Sequence, residues 1–273
     1  GTIGVTGNIG TDIATLALQE NTGTVSGAVT LGGDVTAATL STFAQGYAVS
    51  LTGTTNQITN AVTFANTGAL TLGDGADTTN FAGGLTATAP SGITAQGIVK
   101  ADGGTGVLTL GDGDTGLAVA GNLQVGGTST GTISLGDATI ADGATLTVGA
   151  GAANQIDLDA IAGTAGGTAS NLTINTTGVV AVAEAVSTDI GNVTVTQSGG
   201  TTFEAVDTTT DVVLTNTTGT IAFNGALVTP TLTTASQGYG VSLKGGSTIT
   251  NAVTFSNTGT TQIGDATADT NTF

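Results

Sequence analysis

Apolar and polar residues alternate along the chain in short runs that break at a turn. Leu70-Thr-Leu72, Leu108-Thr-Leu110, Ile133-Ser-Leu135, Leu146-Thr-Val148, Leu172-Thr-Ile174 and Val193-Thr-Val195 each read apolar, polar, apolar. This is the period-two signature of a strand with one face buried. Between the runs stand Gly-Asp, Gly-Gly, Asn-Thr-Gly and Asp-Gly, residues that supply positive φ or side-chain turn bonds. Strands this short do not stand as independent hairpins, so each needs a neighbour stacked above and below it. The pattern predicts an all-β fold, a parallel β-solenoid running as one continuous stack over 1–273. Rungs of roughly 15 to 25 residues stacked at about 4.8 Å would give on the order of eleven to eighteen rungs. Val62, Phe64, Leu70, Leu72, Leu108, Leu110, Leu146, Val148, Leu172, Ile174, Val253 and Phe255 are expected to point inward. The least strand-like stretches, 157–162 and 179–186, lack caps and charge pairs, so negligible helix is expected.

A long repeat overlies this short period. Asn60-Ala-Val-Thr-Phe-Ala-Asn-Thr-Gly68 returns as Asn251-Ala-Val-Thr-Phe-Ser-Asn-Thr-Gly259, and Gln45-Gly-Tyr-Ala-Val-Ser-Leu51 as Gln237-Gly-Tyr-Gly-Val-Ser-Leu243. In all, about 27–81 matches 219–273, with Tyr47 and Tyr239 lying 192 positions apart. A weaker match, Thr11-Asp-Ile13 with Thr188-Asp-Ile190, lies 177 positions apart. The difference, roughly 15 residues, reads as one inserted rung. The second copy stops at Phe273 where the first continues past Phe81, which favours a segment of something longer.

Composition narrows the chemistry. Hydrophobic residues make up 38% of the chain but aromatics only 3%, beside 46 glycines, so small aliphatic and β-branched side chains must fill a narrow core. Two prolines and the regular spacing of Val, Ile and Leu argue against disorder. The net charge is −17, with only Lys100 and Lys244 as cations. Nucleic-acid binding is therefore not expected, nor attraction to an anionic bilayer. No apolar run approaches the roughly 18 residues of a membrane span, so no membrane insertion is expected. Cysteine, histidine, methionine and tryptophan are absent, which removes thiolate, imidazole base and soft metal site.

Several short motifs resemble chemistry. Gly111-Asp-Gly-Asp-Thr-Gly116 fits the spacing of a dinucleotide loop but lacks the following helix, and its aspartates would repel a pyrophosphate. Gly127-Thr-Ser-Thr-Gly131 fits a nucleophile elbow in a chain without histidine. Both read as turns. The acidic turns are the candidate metal ligands: Asp74, Asp77, Asp112, Asp114 and Asp137 are expected at solvent-facing corners, where weak Ca²⁺ could find oxygen ligands. No cofactor is required. Asp157 and Asp159 alternate on one run as a carboxylate pair could, yet the aromatic platforms usual in carbohydrate sites are missing, and no enzyme is expected.

The phrases at 60–68, Ala69-Leu-Thr-Leu-Gly-Asp-Gly75 and Phe81-Ala-Gly-Gly-Leu-Thr-Ala-Thr88 resemble the low-complexity repeats of large bacterial surface proteins: β-strand-repeat, filamentous-haemagglutinin-like and autotransporter-passenger proteins. The resemblance covers essentially the whole chain. It implies a right-handed β-helix at the bacterial cell surface, a structural protein of an extracellular filament, surface layer or adhesive stalk. Its partner would be itself, head to tail or by covalent continuation, with adhesion to a host or matrix surface ligand implied by analogy. Two alternatives stand beside it: a stalk of tandem β-sandwich domains stiffened by Ca²⁺, and a carbohydrate-active β-helix enzyme.

Overall fold

The computed structural model describes residues 1–18, 23–266 and 269–273, and every helix-or-strand element among them is a strand. The chain divides into two compact units, Gly1–Asp137 and Ala138–Phe273. Each unit is a parallel β-solenoid. Its strands form three ladders, named first, second and third here in the order in which the unit's own chain meets them.

In Gly1–Asp137 the first ladder runs through Thr2–Val5, Ser26–Leu31, Gly46–Leu51, Leu70–Leu72 and the front of Ile93–Lys100 to the front of Leu117–Val125. The second runs through Ile9–Ala17, Val35–Ser41, Thr55–Ile58 and Thr78–Phe81 to the back halves of the same two long strands. The third comprises Val62–Thr63, Leu85–Ala87, Leu108–Leu110 and Ile133–Leu135. In Ala138–Phe273 the first ladder begins at Ala138–Ile140 and ends at Asn271–Thr272, and the second begins at Thr145–Val148 and ends at Thr231–Thr234. The third begins at Ile156–Leu158, passes Gly240–Leu243 and ends at Thr261–Ile263. All of these pairings are parallel, so the antiparallel sandwiches considered above are not what the chain forms.

Turn length varies because the corners, not the strands, absorb insertions. Ser26 pairs with Gly46, 20 residues on, whereas Thr2 pairs with Ala28, 26 residues on. The alternation places like residues over like. Val29, Val49, Leu70, Ile93 and Leu117 stack in register and are all buried. In the other unit Leu146, Leu172, Val193, Val212 and Leu232 do the same. Each such side chain contributes roughly 1.5–3 kcal/mol on leaving water. Phe203 and Phe223 stack face to face at 5.2 Å.

Corners are tight where glycines pile up. A Cβ on Gly53 would overlap the Gly33 carbonyl, and one on Gly33 would overlap the backbone of Gly7. Glycine at these positions is needed for close approach rather than for positive φ.

Two of the residues expected to point inward, Val253 and Phe255, are half-buried on either side of exposed Thr254, less covered than the fully buried Phe64. The backbone around them bonds down to Pro230 O and Thr234 Oγ1 of the preceding turn, and the second ladder of their unit ends one turn earlier, at Thr231–Thr234.

The long repeat is a repeat of structure as well as of sequence. Tyr47 is fully buried; its hydroxyl accepts from Phe43 N at 2.9 Å and donates to Leu18 O at 2.8 Å. Tyr239 matches it, accepting from Ala235 N at 2.9 Å and donating to Leu214 O at 2.8 Å. Burial raises both phenol pKa values. Asn66 Nδ2 donates to Tyr47 O and Gly68 O, and Asn257 Nδ2 to Tyr239 O and Gly259 O. The roughly 15-residue difference taken as one rung is shorter than any turn quoted above.

Candidate functional site

The five candidate aspartates fall in three corners of Gly1–Asp137. At the first corner, Gly73 has φ +76° and the Asp74 N–H donates to Asp77 Oδ2 at 2.8 Å. Asp74 is exposed, but Asp77 is 9% exposed and so is not the solvent-facing residue expected. Its carboxylate turns inward because it closes the corner's own backbone. The hydrogen bond to Asp77, with burial and the neighbouring charge, raises the Asp74 carboxyl pKa. The second copy repeats the device: Asp269 Oδ2 accepts from Asp265 N at 2.7 Å and Ala266 N at 2.9 Å. These backbone donors, led by Asp265, lower the Asp269 pKa. Residues 267 and 268 of that copy lie outside the described residues.

At the next corner Asp112 is half-buried, and its Oδ1 accepts from Asp114 N at 3.0 Å and Thr115 N at 2.9 Å. This is an Asx turn. Asp114 is exposed. Gly136 packs directly on the Asp112 backbone, so exposed Asp137 follows on the adjoining turn, where its carbonyl accepts from Leu117 N. The fold thus pairs Asp74 with Asp77 and draws Asp112, Asp114 and Asp137 onto adjoining turns. Among the described residues no three or more His, Cys, Asp or Glu side chains group as a metal site. The carboxylate of Asp157 accepts from Gln155 Nε2 through both oxygens, at 3.1 and 2.9 Å.

Sequence reasoning overlooked the side-chain ladders that cross the turns. Gln57 Oε1 accepts from Asn80 Nδ2 at 3.0 Å, and the same nitrogen reaches Asp102 Oδ2 at 3.3 Å. Asp102 Oδ1 accepts from Thr128 N at 3.2 Å, and Lys100 Nζ lies 2.6 Å from Asp102 Oδ2. The hydrogen bond from Lys100 lowers the Asp102 pKa. In the other unit Asn192 Nδ2 donates to Asn171 Oδ1 at 2.7 Å, and Asp211 continues the column next to Asn192. The signal lies in turn-to-turn offsets rather than in single runs: Gln57, Asn80, Asp102 and Thr128 recur at about one turn's spacing.

Large apolar side chains are exposed on inner turns, at Val107, Val179 and Val228, and on the first and last described turns. Ile3 is 50% and Ile13 37% exposed in the first turn of one unit, and Ile263 is 48% and Phe273 49% exposed in the last described turn of the other. A cavity of about 250 Å³ lined by Val228, Ser247, Thr248, Asp269 and Thr270 adjoins that last turn.

These features define two units of parallel β-solenoid whose acidic corners mostly serve their own backbone, with apolar side chains exposed on the first and last described turns. No protein-family model, curated protein or solved structure matches the chain. Among the described residues no helix is long and apolar enough to cross a membrane.

Proposed function

We propose that this chain is a structural element of a bacterial extracellular filament, surface layer or adhesive stalk, extended along the direction in which its turns stack. The supporting observation is the pair of apolar edge turns, Ile3 with Ile13 and Ile263 with Phe273. A strand edge offers unpaired N–H and C=O groups to another parallel strand, and an apolar side chain beside it gains by being covered. A head-to-tail contact between such edges grows as an open fibre when its rotation does not close into a ring. The resemblance of 60–75 and 81–88 to bacterial surface repeats supports the extracellular placement, and the net charge of −17 suits a solvated surface.

The test is concentration-dependent assembly of residues 1–273. Sedimentation velocity and electron microscopy should show oligomers that lengthen at constant width. A strictly monomeric chain at high concentration would end the head-to-tail reading. Labelling of intact cells with an antibody to the chain tests the placement, and labelling only after lysis would overturn it.

A further inference from the structure

The internal repeat supplies a template for what covers the 251–273 edge. Each exposed apolar residue there has a counterpart in the first copy, and every counterpart is buried. Leu72 is 0% exposed where Ile263 is 48%, and Phe81 is 0% where Phe273 is 49%. Val62 and Phe64 are buried where Val253 and Phe255 are half-buried. The edge is nonetheless built the same way. Phe64 and Phe81 meet edge to face at 6.1 Å and 88°, and Phe255 and Phe273 at 6.3 Å and 81°.

What buries the first copy is one turn of this same chain. Leu85 lies over Val62, Ile93 over Leu70, Ala95 over Leu72, Val99 over Thr79 and Lys100 over Asn80, all in parallel register. We infer that the edge formed by 251–273 is a docking surface for one further parallel turn with the residue pattern of Leu85–Lys100. Its Leu-x-Ala strand settles on Val253 and Phe255, its Ile-x-Ala strand on Thr261–Ile263, and its third strand on Asn271–Thr272 beside Phe273. Among the positions that the covering strands would pair with, the edge has Thr261 for Leu70, Gln262 for Thr71, Asn271 for Thr79 and Thr272 for Asn80; the covering isoleucine therefore meets a methyl and a hydroxyl at Thr261, and the third strand keeps polar residues beneath it. This deepens the structural reading above by naming the chemistry of the partner turn, and it does not depend on end-to-end assembly.

The experiment compares the full chain with the full chain carrying a second copy of 82–116 appended after Phe273. A control extension carries Leu85→Asp and Ile93→Asp within the appended copy only. Backbone amide exchange over 261–273 is read by mass spectrometry. The native extension should slow exchange there at least tenfold relative to both the unextended chain and the control. Unchanged exchange, or equal slowing by both extensions, overturns the inference. Sedimentation of the unextended chain reports separately on the structural reading. A monomer there, with protection gained in the extended chain, sinks self-assembly and keeps the docking surface; assembly without that protection does the reverse.

Discussion

Phe64 and Phe255 occupy equivalent places in the two copies and differ in what lies above them. Phe64 is fully buried against Phe81, so Phe64→Ala should cost about 3–5 kcal/mol, the usual range for a truncated core phenylalanine. Half-buried Phe255 has less to lose, and Phe255→Ala should cost less than about 2 kcal/mol. Urea denaturation of both variants measures the difference, and equal losses would show that covering is not what separates the copies. Asp211 is a second residue-level case. Its Oδ1 is buried without a hydrogen-bond partner, and burial raises its pKa. A carboxyl raised in the folded state contributes stability below its unfolded pKa of about 3.9, and that contribution is lost as pH rises through the folded value. Asp211→Asn, which continues the Asn171–Asn192 amide column, should therefore melt higher than the parent at pH 7. The gap should close as pH falls below about 3.9. A constant gap across pH would exclude the carboxylate as its cause.

At the scale of strands and corners, the glycine piles set how closely turns approach. Gly53→Ala places a methyl against the Gly33 carbonyl, which is backbone and cannot step aside. It should cost about 1–3 kcal/mol by overpacking. Gly113→Ala, in a corner with nothing within 4 Å, should change stability by less than about 0.5 kcal/mol. Thermal melts of the pair distinguish crowding from a general intolerance of alanine. This is also the scale at which the sequence is most legible. Leu70-Thr-Leu72 and Leu172-Thr-Ile174 declare a half-buried strand by alternation alone, and both are strands buried at their outer positions. The pairing of distant strands is not written locally: nothing near Gln57 announces Asn80, because that partnership exists only once the length of the intervening corner is known. Asp77 misled for a related reason. An aspartate just after Gly73-Asp74-Gly75 reads as part of a solvent-facing corner, and only the folded corner shows the Asp77 carboxylate turned back to cap Asp74 N.

For the whole molecule, electrostatic self-repulsion is the unfavourable long-range term, with a net charge of −17 and few cations to offset it. Added salt should raise the melting temperature by screening. Of the candidate metal ligands, Asp112 and Asp137 lie on directly adjoining turns, so we propose weak Ca²⁺ association there. CaCl₂ should stabilise the parent more than NaCl at matched ionic strength, and the surplus should vanish in Asp137→Asn; a surplus retained in that variant would place the ion elsewhere. The unequal turns, 20 residues from Ser26 to Gly46 and 26 from Thr2 to Ala28, have a further consequence, for how such a chain can change in length. Because paired strands stay in register while the corners take up the difference, residues can be gained or lost at a corner and leave the aliphatic columns on either side stacked as before.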